Sequence, residues 1–216
     1  MESNNAPAVV RADPALDTAR SFSRFVRRLL EAEPRLAAET GCDRPYDSAE
    51  MQALLAALPV ADEAALRRAL RTLRKRVMLR LIARDISGRA GLAEVLATTT
   101  ALAQIAISTA LSSLDAWQAG QHGRPRGVES GRIQQLHVVG MGKLGGGELN
   151  VSSDIDLIFA YPEEGETDGG RPVSNHEYFT RLARRFIAAL DEPTEDGYVF
   201  RVGMRLRPYG DGSPVV

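Results

Sequence analysis

The chain has 216 residues with 44% hydrophobic and 25% charged side chains and a net charge of −1, the make-up of an ordinary soluble globular protein long enough for a sizeable core. Its single cysteine, Cys42, excludes an internal disulfide framework or a cysteine-built metal site. The opening run MESNNAPAVVRADPALD lacks the basic-then-apolar order of a secretory signal, so a cytoplasmic setting is expected. Charge is uneven: residues 1–130 hold 18 Lys and Arg against 15 Asp and Glu, and residues 131–216 hold 9 against 13, which disfavours a nucleic-acid groove in the acidic second part.

Residues 1–20 read as a flexible tail, polar and punctuated by Pro7 and Pro14. Helical spacing begins near Ser21, with Phe22, Phe25, Leu29 and Leu36 as its apolar face, and Asp47 or Ser48 caps a second helix through Leu58. Asp62 caps a third, whose buried stripe is Leu66, Leu70, Leu73, Val77 and Leu81. Its other face carries Arg67, Arg68, Arg71, Arg74, Lys75 and Arg76, which reads either as a solvated surface or as a docking face for an acidic partner or nucleic acid. Leu92–Trp117 is apolar on most sides and belongs at the centre of a helical bundle. Gln104 and several Ser and Thr interrupt it, so no membrane span is expected.

Residues 121–131, rich in Gly and Pro, read as a linker between a helical region, 21–120, and a second unit, 132–216. There IQQLHVV reads as a buried strand ending at Gly140, DIDLIFAY as a second strand and YPEEGETDGGRPVS as a surface loop. Ser174 and Glu177 form a capping box for a helix with Phe179, Leu182, Phe186 and Leu190 on its inner face, and YVFRVGMRLRP is a third strand. Helices first, then strands mixed with one helix, make the class α+β. The chain ends at GSPVV without a closing element, which predicts a piece of a longer protein.

The stretch GMGKLGGGELNVSSDIDLIF, residues 140–159, carries the chemistry. Gly140, Gly142 and Gly145 match a dinucleotide fingerprint, but only eight residues separate Gly145 from Asp154, too few for the crossover helix that fold needs. A P-loop fails as well, because Leu144 follows Lys143 where a Ser or Thr is required. Asp154 and Asp156 alternate onto one face of their strand, with Ile155, Leu157 and Phe159 on the other, and paired carboxylates suit Mg²⁺ bridging to phosphate. The plain alternative is that SSDID only begins a strand with its charges in water. The preceding glycine turn, whose backbone can approach a phosphate chain, favours the metal reading.

These residues resemble the N-terminal half of the bifunctional glutamine synthetase adenylyltransferase/adenylyl-removing enzymes, whose core is a polymerase-β-like nucleotidyltransferase. The resemblance rests on GMGKLGGGELNVSSDIDLIF, YFTRLARRFIAALDEPTEDGYVFRV and MRLRPYGDGSP, with weaker helical matches in SFSRFVRRLLEAEPRL and LRTLRKRVMLRLIA. It implies an N-terminal helical bundle followed by an incomplete nucleotidyltransferase core with a mixed sheet. It further implies removal of AMP from a glutamine synthetase tyrosine by inorganic phosphate, giving ADP. Addition of AMP from ATP belongs to a C-terminal half not in this chain, and the PII signal protein is an implied partner. Neither nucleic acid nor membrane is implied. By resemblance, Asp154 and Asp156 hold Mg²⁺, and Gly142, Lys143, Gly145, Gly146, Ser153, Arg201, Arg205 and Arg207 contact nucleotide or phosphate.

The chain departs from the family at one point. A segment of the form R-V-D-M-R-L-R-P supplies the family's third carboxylate, and here Gly203 stands at the Asp position. Alternation puts Arg201, Gly203, Arg205 and Arg207 on one strand face and Tyr198, Phe200, Val202, Met204 and Leu206 on the other. The arginines read equally as an anion site or as partners of Glu195, Asp196 and neighbouring acids, and Gly203 also reads as a plain bulge. Either the chain is a nucleotidyltransferase fragment short of one metal ligand, for which Asp196 or Asp211 substitutes only if a loop folds back, or it is a non-catalytic docking module of the same fold.

Overall fold

The computed structural model describes residues 13–203 as an α+β arrangement. Six helices come first: α1 (Pro14–Phe22), α2 (Arg24–Ala32), α3 (Leu36–Glu39), α4 (Ser48–Ala56), α5 (Glu63–Ile86) and α6 (Leu92–His122). Then follow β1 (Pro125–Gly127), β2 (His137–Met141), α7 (Gly142–Gly145), β3 (Ile155–Ala160), β4 (Gly165–Thr167), α8 (Asn175–Asp191) and β5 (Val202–Gly203). β2, β3 and β5 form a mixed sheet with β3 central: β2 runs antiparallel to it and β5 parallel. β1 and β4 make a separate antiparallel pair.

The expected stripe of α5, Leu66, Leu70, Leu73, Val77 and Leu81, is buried throughout, as is the inner face of α8, Phe179, Leu182, Phe186 and Leu190. Both meet α6 and the core face of β3 in one continuous apolar cluster, so helical region and sheet share a core. A second cluster joins α1, α2 and α3 to Leu79 and Ala83 of α5. Among the described helices α6 alone is long and apolar enough to cross a bilayer by composition. Here its Leu102, Ala103, Ala106, Ala110 and Leu114 are fully buried against neighbouring elements.

Several expectations are corrected. The region expected as a tail holds α1, which starts at Pro14. Asp13 caps it by accepting from the Ala15 amide at 2.9 Å, and also accepts from the Cys42 amide at 3.2 Å and from Arg89 at 3.0 Å. Residues 1–12 lie outside the described residues. Phe22, expected on an apolar face, is 79% exposed at the end of α1, whereas Leu29 and Leu36 are buried. The segment expected as a linker continues α6 to His122 and then forms β1, whose partner β4 lies within the expected surface loop. Three-residue strands rich in Gly and Pro are set by long-range pairing rather than by local preference. β2 begins only at His137, and its Val139 is 47% exposed because β2 edges the sheet. Ser174 caps α8 as expected, but Glu177 reaches forward to Arg181 at 2.6 Å rather than back, so the capping box is half made.

The basic face of α5 is only in part a solvated surface: Arg68 is exposed, whereas Arg67, Arg71, Lys75 and Arg76 are engaged by other parts of the chain. Arg71 is 1% exposed, and its guanidinium donates to the carbonyls of Gly197 at 2.7 Å, Ala189 at 3.1 Å, Arg67 at 3.0 Å and Glu192. It thereby caps the C-terminal end of α8 from a neighbouring helix, where the helix dipole is negative. Arg67 pairs with Glu63 and Glu192, and Lys75 bridges Glu33 at 2.7 Å and Asp196 at 2.6 Å.

These contacts make stability testable at two positions. Replacing Arg71 by Met leaves buried carbonyls without donors and should cost about 3 kcal/mol or more in urea unfolding, with Arg71→Lys intermediate. A loss under about 0.5 kcal/mol would show the clamp to be idle. For Asp13, burial pushes the carboxyl pKa up, but hydrogen bonds from Ala15, Arg89 and Cys42 outweigh it and hold the value below the usual range. The stability it contributes is present above the unfolded carboxylate pKa and is lost as pH falls through the lowered folded value. Asp13→Ala should therefore cost about 1–2 kcal/mol at neutral pH, and the gap to the native chain should narrow below about pH 4. An equal gap at both pH values would contradict this.

Candidate functional site

The glycine turn is built by steric necessity. β2 ends at Met141, and Gly142 turns the chain with φ +52°, a left-handed conformation that side chains resist. α7 then folds back onto the strand: a Cβ on Gly145 would lie 2.6 Å from the Gly140 carbonyl oxygen. Leu144 is the buried side chain of this turn. β2 and β3 are antiparallel neighbours with no crossover between them, so the topology excludes a dinucleotide-binding βαβ unit.

The segment entering β3 is organised by Asn150, which sequence reasoning missed. Its Oδ1 accepts from the Ser152 amide and hydroxyl, both at 3.1 Å, and from the Ser153 hydroxyl at 3.0 Å. Ser153 Oγ in turn accepts from the Asn150 amide at 3.1 Å. This Asx turn delivers Asp154 just ahead of β3. The available signal was N-x-S-S ahead of an acidic strand start, a local pattern of turn-forming side chains. Within β3, Ile155, Leu157 and Phe159 are buried, and Asp156 alternates to the other face.

Asp156 occupies the middle of the sheet, paired in register with Met141 of β2 and Gly203 of β5. A Cβ on Gly203 would lie 2.2 Å from Asp156 Oδ1, and one on Gly142 would lie 3.3 Å from Asp156 Oδ2. Two glycines thus flank this carboxylate, and a side chain at 203 would project at it directly. Asp154, Asp156, Gly142, Lys143, Ser153, Arg201 and Gly203 line one cavity of about 620 Å³. Among the described residues, the carboxylates of Asp154 and Asp156 make no ion pair or hydrogen bond.

Other expected members lie away from the cavity or, like Ser153 and Arg201, line it with different partners. Gly145 and Gly146 do not line the cavity, and the Ser153 hydroxyl is committed to Asn150. Arg201 makes no ion pair among the described residues and lies 5.5 Å from the Tyr198 ring centroid, while Asp196 is bound by Lys75 and lines a different cavity. Arg205, Arg207, Asp211, Met204 and Leu206 lie outside the described residues. A residue sequence reasoning did not select, Asp191, joins the lining as the last residue of α8. Its signal was an acid at the negative end of a helix dipole, an unfavourable place without a nearby cation. Among the described residues no three acidic, His or Cys side chains converge closely enough to hold a metal together.

The model of the family described as glutamate-ammonia ligase adenylyltransferase matches residues 15–216. The chain belongs to this family. Among its relatives are proteins named bifunctional glutamine synthetase adenylyltransferase/adenylyl-removing enzyme. That of Nitrosomonas eutropha is 52% identical over 95% of this chain and 23% of its own length, that of Chromobacterium violaceum 51% over 100% and 24%, and that of Nitrosomonas europaea 53% over 90% and 22%. The chain thus spans about a quarter of the length of these relatives.

In this adenylyltransferase-family chain the oxygen-only donor set of Asp154 and Asp156, ion-paired to no Lys or Arg among the described residues, fits Mg²⁺, which takes one or two carboxylates and completes its shell with water and phosphate. Mg²⁺ should therefore raise the melting temperature, and Asp154→Asn with Asp156→Asn should abolish that rise. Gly203→Asp should melt lower than the native chain in EDTA, because a third charge crowds Asp156, and should gain more from Mg²⁺. Equal Mg²⁺ responses in the native, Asn and Asp forms would place any metal elsewhere.

Proposed function

We propose that this chain belongs to the adenylyl-removing part of a glutamine synthetase-modifying enzyme, and that its cavity handles the adenylyl group of modified glutamine synthetase. The observation that carries the reading is the placement of Asp154 and Asp156 in one cavity with Lys143, Arg201 and the Gly142 turn, in a chain of this family. In the reaction, an oxygen of hydrogen phosphate bonds to the AMP phosphorus while the bond from that phosphorus to the tyrosyl oxygen breaks. The phosphate proton ends on the tyrosine hydroxyl, leaving ADP and unmodified glutamine synthetase. Bound Mg²⁺ would supply charge neutralisation at the phosphoryl oxygens. Asp154 and Asp156 would hold it, Lys143 and Arg201 would orient the anionic groups, and the glycine turn would let backbone approach them. Glutamine synthetase is the protein substrate in this reading and the PII signal protein a partner of the intact enzyme.

Gly203 favours a second reading. The register sets this residue beside Asp156; the resemblance implies an aspartate at this position, and on that reading the native chain would supply one carboxylate fewer to bound metal. The chain would then serve as a docking module that binds glutamine synthetase or PII without turnover.

Phosphate-dependent release of ADP from adenylylated glutamine synthetase, measured for the native chain and Gly203→Asp with Mg²⁺ present, separates the two. The expected outcome is that Gly203→Asp is faster by roughly two orders of magnitude. Equal turnover would show that another residue completes the site. No turnover from either folded form would remove the adenylyl-removing assignment of the chain.

A further inference from the structure

A second cavity, about 590 Å³, lies between α2, α5 and the segment leading into β5. Five basic residues line it against three acidic ones, Glu33, Glu195 and Asp196. Lys75 engages both Glu33 and Asp196, and the charge of Arg71 is met by main-chain carbonyls. Arg74 is the anomaly. Its guanidinium lies between two aromatic rings, 5.8 Å from the Phe25 centroid and 5.0 Å from that of Tyr198. Its Nε is shielded from solvent without an acceptor, and among the described residues it makes no ion pair or hydrogen bond. Burial pulls its pKa down, so the charge is held at a cost. The rings offer their π faces, and among the described residues Arg74 makes no hydrogen bond to the Tyr198 hydroxyl or to any carboxylate. Arg24 and Arg28, one turn apart on α2 and exposed, also make no ion pair among the described residues.

A half-buried guanidinium without an anion, beside two further unpaired arginines and two aromatic rings, matches a ligand that brings both a negative group and a flat body. The volume and mixed apolar and basic lining are those of a small-molecule site. We propose that this groove binds a small organic anion, a carboxylate or phosphate on a flat apolar body, with Arg74 and Arg28 taking the anion and Phe25 and Tyr198 the body. The site is separate from the Asp154–Asp156 cavity, and the inference stands whether or not the adenylyl-removing reading does.

Phenyl phosphate, benzoate, inorganic phosphate and phenol, titrated into the full chain by calorimetry, test it. Saturable sub-millimolar binding is expected for at least one aryl anion, roughly tenfold or more weaker for inorganic phosphate and for phenol. The stronger of phenyl phosphate and benzoate identifies the headgroup. Arg74→Met and Arg28→Gln should each weaken the aryl anion at least about tenfold, and Lys143→Gln should leave it unchanged. Arg28 is exposed, so its variant keeps the test valid should Arg74→Met unfold. Phenol binding as tightly as the aryl anions, loss of binding in Lys143→Gln, native affinity in Arg28→Gln, or no saturation by either aryl anion at about 10 mM would each overturn the proposal.

Discussion

The buried guanidinium of Arg71 is the contact on which the placement of the candidate site depends. Removing a charge from water is expensive, and it succeeds here because the donors meet main-chain carbonyls at the negative end of α8. Arg67, Arg71 and Lys75 stand four residues apart on one face of α5 and grip Ala189 to Gly197 from end to end. From that anchored segment, the amides of Val199 and Phe200 donate to the Leu190 carbonyl at 2.8 and 3.1 Å, and the Ile155 amide donates to the Arg201 carbonyl at 2.9 Å. Each step fixes the next, and the last sets β5 in parallel register beside β3, with Gly203 against Asp156. The helical region therefore determines where the wall of the cavity stands.

One shared core makes this transmission rigid. Leu157 and Phe159 of β3, Phe186 of α8, Leu73 of α5, and Leu102 and Ala106 of α6 belong to a single buried cluster. Phe159 and Phe186 meet edge to face at 5.7 Å, which ties the strand carrying the acids to the helix that Arg71 caps. Close-packed cores transmit displacement rather than absorb it, so changes on α5 reach the cavity although no α5 side chain lines it.

What the sequence revealed and what it concealed divide along the range of the interactions involved. The stripe of α5 and the inner face of α8 were legible because period 3.6 over many residues is a strong local signal, and the alternation of Ile155, Asp156 and Leu157 was legible for the same reason at period 2. The role of Arg71 was not, because three of its four partners are carbonyls more than a hundred positions away, and carbonyls leave no mark in residue identity. β1 and β4 were hidden because Pro and Gly are turn residues in local terms and strands this short are fixed by their pairing with each other rather than by their own residues. In the candidate site, the acids and Gly142 could be read from spacing, whereas Asp191 is brought in by the end of a helix that starts sixteen residues earlier.

Gly203 shows how one position weighs on both stability and chemistry. A carboxylate there would confront Asp156 across adjacent strands, with Asp154 and Asp191 lining the same cavity, and like charges so close repel unless a cation lies between them. Glycine removes that repulsion and lets the Asp156 carboxylate lie where a side chain's first carbon would be. It should therefore stabilise the metal-free sheet while weakening any site that needs three acids to hold a divalent cation. A catalytic centre is held in a partly unfavourable arrangement by the structure around it, and relaxing the arrangement raises stability as it lowers function. With Arg71 and the shared core fixing the backbone, this exchange can be made without disturbing the fold, since β5 keeps its register with β3 at a residue that contributes no side chain.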